Sequence, residues 1–178
     1  MQPHPDLDLL TSRGFEGFVP ISQLHRGGCQ DVPDVPGVYV VVRTEDGPPT
    51  FLKRSHAPAW RGEDPTRPVD ELEARWVEGA RVLFIAAAPG SGVRHRLLQR
   101  IKRYLRHGHG ASVGHWDGRF LWQLSGTSRV EMAWRPCAEG EDARALADET
   151  MRAFETLHGA RPFANASPGG AEVTGDED

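Results

Sequence analysis

From Gly37 to Arg43 the chain reads Gly-Val-Tyr-Val-Val-Val-Arg, a continuous β-branched and aromatic run behind the Pro33-x-x-Pro36-Gly37 punctuation, and this predicts a central strand. Arg81 to Ala87 predicts a second strand of the same kind. The residues between them, about 44–79, are too many for a hairpin turn. They hold the loops Glu-Asp-Gly-Pro-Pro and Arg-Gly-Glu-Asp-Pro-Thr-Arg-Pro and then a short helical pattern, Val69 to Val77, with Asp70 in a capping position. This segment reads as an insertion on a hairpin. After Pro89-Gly-Ser-Gly92 the period changes to that of a helix, Val93 to His107, with Leu97, Leu98, Ile101, Tyr104 and Leu105 in one apolar stripe. At roughly 100° per residue, Arg100 falls beside Tyr104 at the edge of that stripe, whereas Arg96, Lys102, Arg103 and Arg106 point farther round toward solvent.

A Gly-His-Trp-Asp-Gly turn leads into two further predicted strands, Arg119 to Ser125 and Arg129 to Arg135, and then a helix from about Asp142 to His158. The first thirty-odd residues mix Phe15, Phe18, Val19, Ile21 and Leu24 with Gly and Pro. They predict an ordered arm, 1–34, docked on the core. The acidic end, 167–178, has no apolar content to fix it and reads as a disordered tail. The remainder, 35–166, is one α+β domain with a small mixed, mainly antiparallel sheet flanked by helices.

Composition narrows the function classes. A chain of 178 residues with five Trp and seven Phe has enough apolar material for one core, and no apolar run reaches the ~18 residues of a membrane span. No basic-then-apolar leader opens the sequence, and Cys29 and Cys137 form no pairing pattern, so a cytoplasmic protein with free thiols is expected. The net charge of -4 argues against a nucleic-acid partner only if charge is spread evenly. It is not: Gly79 to Trp116 holds seven Arg or Lys and no Asp or Glu. That local block sets the field a phosphate backbone meets. Its plainer reading is a solvated helix face.

The order of these pieces is informative: a strand with Gly37, Val38 and Tyr39, a strand with Phe84, Ile85 and Ala86, a helix with Arg100 and Tyr104, a helix with Glu149, then Arg-Pro-Phe-Ala-Asn ending at Asn165. It resembles the GIY-YIG nuclease family over roughly Val35 to Ala166. The resemblance implies a Mg²⁺-dependent DNA endonuclease in which Tyr39, Arg100, Tyr104, Glu149 and Asn165 surround one phosphodiester. In that scheme Glu149 binds Mg²⁺, which under a single carboxylate keeps most of its waters. Tyr39 handles the attacking water, assisted by Arg100, because a free phenol with a pKa near ~10 is a poor base. Tyr104 and Asn165 position phosphate and neighbours, while Arg94, Arg96, Lys102, Arg103 and Arg106 supply the DNA-binding face.

Departures accompany the matches. Phe84 stands where the second motif has Tyr, Ala86 where it has Gly, and Ala87 where relatives often carry Lys. Loss of one well-placed polar group costs ~10² to 10³ in rate, which implies a slow enzyme. Two rival readings therefore stand beside the nuclease. One is a GIY-YIG-like domain that binds nucleic acid or a protein without cutting. The other is an interaction protein whose face is built from Trp60, Trp76 and the insertion. Taken singly, Tyr39 also suits a core strand, Arg100 and Glu149 a helix surface, and Asn165 a turn. A zinc site from His107, His109, His115 and Asp117 lacks the spacing of a tetrahedral cage, and Pro-Gly-Ser-Gly lacks the Lys and Ser/Thr of a P-loop. Tyr39, Arg100, Tyr104 and Glu149 are expected to converge on one open cleft; if they scatter, only the interaction-protein reading remains.

Overall fold

The computed structural model describes residues 4–113 and 115–165. Its elements are α1 (Pro5–Ser12), β1 (Glu16–Pro20), α2 (Ile21–Gly27), β2 (Gly37–Arg43), α3 (Val69–Arg75), β3 (Val82–Ala88), α4 (Leu97–Gly108), β4 (Val130–Pro136) and α5 (Ala143–His158). The fold is α+β: one four-stranded, wholly antiparallel sheet in the order β1-β4-β2-β3, with helices on both faces. β2 is central, and six of its seven residues are buried. Its side chains alternate as strand geometry requires. Tyr39 and Val41 enter the cluster with α2, α4 and the 119–124 turn, and Val38, Val40 and Val42 enter the cluster with α1 and α5.

A bulge in β3 breaks this alternation. Val41 faces Phe84 and Val42 faces Val82, so Leu83 is the extra residue and both Leu83 and Phe84 turn toward α4. Gly37 permits the approach of α4: a Cβ there would overlap the Arg135 carbonyl oxygen and the Leu97 side chain. At the other end of the sheet, the fully buried Asp6 accepts hydrogen bonds from the backbone N–H groups of Arg81 (2.6 Å) and Val82 (2.9 Å). It also meets His158 Nε2 at 2.5 Å, which ties α1 to the start of β3 and the end of α5.

Several expectations are corrected here. The 1–34 arm does more than dock, since its β1 is the edge strand paired with β4. Arg119 to Gln123 is a 3₁₀ turn, not a strand. A run of consecutive buried apolar residues carries no period to separate the two, and Gly118, in the left-handed region at φ 68°, starts the turn. Gln123 then holds the insertion by donating to the carbonyls of Leu52 and Arg67 and accepting from the Arg67 N–H. Helix α4 begins at Leu97, with Val93–His95 a separate 3₁₀ turn. Pro68, not Asp70, is the N-cap of α3, and Asp70 sits within the first turn. The 167–178 tail lies outside the described residues. Among those described, no helix is long and apolar enough to cross a membrane.

Candidate functional site

The stripe Leu97, Ile101, Tyr104 and Leu105 seats α4 on the sheet, and all four are essentially inaccessible to solvent. Arg100, one turn before Tyr104, is carried with them to the edge of the core, where only 7% of it is exposed. There it lines a cleft of about 420 Å³, within the size range that takes one small molecule. The cleft is bounded by Phe84–Ala87 of β3, the turn at 116–119, one face of α5 and the segment following α5. Arg100 Nη2 lies 3.7 Å from Asp117 Oδ2 across it. Among the described residues, Arg119, Arg144 and Arg161 complete a set of four arginines lining the cleft with two aspartates, Asp117 and Asp148, and Arg161 is itself paired with Glu155 of α5 at 3.3 Å.

The expected residues divide in two. Tyr39, Tyr104 and Phe84 form an aromatic group, with ring centroids 6.1 Å apart for Tyr39 and Phe84, 6.3 Å for the two tyrosines and 5.5 Å for Phe84 and Tyr104. Both tyrosines are fully buried, and neither lines the cleft. The Tyr39 hydroxyl lies 3.2 Å from His115 Nε2, and the Tyr104 hydroxyl donates to the Gly118 carbonyl at 3.0 Å. Burial, with Tyr39 and Asp117 nearby, holds the Tyr104 phenol well above its ordinary pKa, so it stays protonated. Burial and then the charges of Arg100 and Arg103 hold His115 well below the ordinary range, so it is a neutral imidazole.

Asn165 lines the cleft, but its amide is engaged in structure. Its Nδ2 donates to the Ile85 carbonyl at 2.8 Å and its Oδ1 accepts from the Ile85 N–H at 3.0 Å, closing the free edge of β3. Glu149 is not brought to the cleft. It is exposed on α5, whereas Arg144, Ala147, Asp148 and Met151, at helical spacing, form the face that lines it. Among the described residues no group of three or more His, Cys, Asp or Glu is placed to hold a metal ion. The cleft's own carboxylates share it with four guanidinium groups, which repel a divalent cation, so the residues present do not fit a resident Mg²⁺.

Beside the cleft, Arg94 and Arg106 are exposed, and Arg96, Lys102 and Arg103 are half-buried; Arg96 pairs with Asp34 at 3.5 Å. Arg119 stacks over the rings of Trp116 and Phe120 at 4.5 and 4.6 Å. Burial and the neighbouring Arg67 bring its pKa down to about 10, which leaves it cationic at neutral pH. The histidines of the zinc alternative go separate ways: His109 stacks on His25 at 3.7 Å and His115 turns to Tyr39. Trp76 is packed between Phe51 and Phe163 with Arg43 over its ring, so it joins the insertion to the core rather than opening a face.

Sequence reasoning missed Arg119, Arg144, Asp148 and Arg161. The signal for Arg144 and Asp148 was their i, i+4 spacing beside Ala147 and Met151. Arg161 directly precedes the Pro-Phe-Ala-Asn segment already singled out. No protein-family model, curated protein or solved structure matches this chain.

Proposed function

We propose that the chain binds nucleic acid through its phosphates, DNA in the first instance, without cutting it. Tyr39, Arg100, Tyr104 and Glu149 do not converge on one cleft, against the expectation for a GIY-YIG-like domain. Trp76, packed against Phe51 and Phe163, does not supply the face of the interaction-protein reading either. One observation carries this reading: four arginines from separate segments meet in one cleft, and the buried Arg100 belongs to the same helix that presents Lys102, Arg103 and Arg106. Guanidinium groups grip phosphate oxygens as planar forks, and the α4 cations neutralise neighbouring phosphates along a strand. Such a partner and two free thiols accord with the cytoplasm.

Cleavage asks for more than this. It needs a hydroxyl or base facing an attacking water, and here Tyr39 and Tyr104 are buried while Phe84 has no hydroxyl. The endonuclease reading keeps one supporting observation, Asp148, a carboxylate in the same cleft as Arg100. Two measurements on the whole chain decide. Fluorescence anisotropy with short DNA should show affinity falling with salt by roughly 0.9 log unit per log unit for each phosphate neutralised, and Arg103→Glu should weaken binding and flatten that slope. A supercoiled-plasmid assay with Mg²⁺ should show no nicking above background. Salt-independent or absent DNA binding would remove the proposal. Robust Mg²⁺-dependent nicking that Asp148→Asn abolishes would replace it with the endonuclease.

A further inference from the structure

We infer that the nucleic-acid site continues from the cleft onto the insertion, along Arg119, Arg75 and Arg67, and that it takes an unpaired strand; this rests on the nucleic-acid reading above. Arg119 lines the cleft and lies over the rings of Trp116 (4.5 Å) and Phe120 (4.6 Å). Arg75 of α3 lies over the same Phe120 ring at 4.6 Å. Its Nη2 donates to the carbonyl oxygen of Asn165, a cleft residue, at 2.7 Å, so the insertion reaches the rim of the cleft. Arg67 stands just ahead of α3: burial is the main cause lowering the pKa of Arg119 and Arg75, and the Arg67 charge lowers both further. Three carboxylates along this path already hold a partner, Glu71 with Arg67 at 3.8 Å, Asp117 with Arg100 at 3.7 Å and Glu155 with Arg161 at 3.3 Å. Asp148 stands on the α5 wall of the cleft. Arg75 and Arg119 donate to carbonyl oxygens instead, and neither forms an ion pair among the described residues.

Two features select an unpaired strand. Cations interleaved with aromatic rings suit a chain whose bases are free to stack on rings and guanidinium planes, and bases inside a duplex are not. Arg100, 7% exposed, is reached from within a cleft of about 420 Å³, which has room for one nucleotide and not for a base pair. A duplex, stiff over ~150 base pairs, meets the exposed cations of α4 instead.

Anisotropy of the whole chain with one labelled oligodeoxynucleotide, unpaired or annealed to its complement, tests this. The unpaired form should bind about tenfold tighter, the scale of one stacked base. Arg75→Lys, which keeps the charge and loses the plane, should remove most of that preference. Arg67→Gln should flatten the single-strand salt slope by roughly 0.7 log unit per log unit, and it leaves in place the backbone of Arg67 that Gln123 holds. Glu71→Gln, an exposed change that frees Arg67, should tighten single-strand binding and leave duplex binding unchanged. A ribonucleotide strand of the same sequence that binds tighter still, with the same response to Arg75→Lys, would uphold the track and make its source RNA. Duplex binding as tight as single-strand binding, or a preference untouched by all three substitutions, would overturn the inference while leaving nucleic-acid binding intact. Failure of every form to bind at low salt would instead remove the reading on which it rests.

Discussion

The Tyr39 hydroxyl lies 3.2 Å from His115 Nε2, inside the core beneath the arginine cleft, with the ring fully buried against Phe84 and Tyr104. This makes the hydroxyl a partner for a buried imidazole and not a group presented to ligand. Tyr39→Phe keeps the ring but strands one side of that pair, a change that costs ~1 to 3 kcal/mol. Urea denaturation should show that loss, and DNA affinity of the folded protein should stay at the parent value. Unchanged stability together with altered nucleic-acid chemistry would return Tyr39 to the role of reagent.

His115 also makes stability depend on pH. The folded imidazole has a lowered pKa, caused first by burial and then by Arg100 and Arg103, while the unfolded chain titrates near ~6.5. Below that value the unfolded state binds the extra proton, so stability falls as pH drops, by up to ~1.4 kcal/mol per pH unit for a group that stays neutral when folded. The groups facing the imidazole are Tyr39, the Tyr104 ring at 4.9 Å, Arg100, Arg103 and His107. Denaturation midpoints should decline from pH 7.5 to 5.5. His115→Gln, which keeps a polar neighbour for Tyr39, should flatten the decline, with a residual slope from His107, whose pKa burial also lowers.

How legible the molecule was in its sequence follows from where each signal resides. The β2 boundaries were readable from the Pro-x-x-Pro-Gly punctuation and the β-branched run behind it, and the α5 span and the position of Arg100 beside Tyr104 because each depends on a local helical period. The cleft was only half readable. On α5, Asp148 and Glu149 differ by one residue, or roughly 100° of rotation, and the resemblance selected the carboxylate by motif order while packing set the face. Position 115 shows the same limit: nothing local distinguishes a loop histidine from one that crosses to Tyr39, 76 residues away. The bulge at Leu83 is likewise a property of strand pairing, invisible in a run of seven apolar residues.

That one-residue difference on α5 yields a paired test. Asp148 lines the cleft and would repel a phosphate bound there, whereas Glu149 is exposed elsewhere on the helix. Asp148→Asn should tighten DNA binding by about 1.4- to fivefold, the range of ~0.2 to 1 kcal/mol that exposed charge pairs contribute. Glu149→Gln should leave it unchanged. Anisotropy at low salt checks both, and a larger effect from Glu149→Gln would mean that α5 presents a different face to the ligand.

Gly118 links the aromatic group to the cleft, and its substitution separates backbone strain from collision. Its φ is 68°, its carbonyl accepts the Tyr104 hydroxyl, and a Cβ placed on it would lie 2.9 Å from the Phe84 ring and from the Tyr104 oxygen. Gly118→Ala therefore adds left-handed strain of ~1 kcal/mol to an overpacking cost of ~1 to 3 kcal/mol. To relieve the collision, either Phe84 swings into the cleft or the 116–119 turn moves outward with Asp117 and Arg119. Both movements deform the arginine set, so DNA affinity should fall along with stability. Gly110, at φ 88° with open space within 4 Å of where a Cβ would stand, supplies the comparison. Gly110→Ala should lose only the strain contribution in a urea melt and retain full affinity. Equal loss of affinity in the two variants would show that strain alone weakens binding; a loss confined to Gly118→Ala places the cause in the contact of Gly118 with Phe84 and Tyr104.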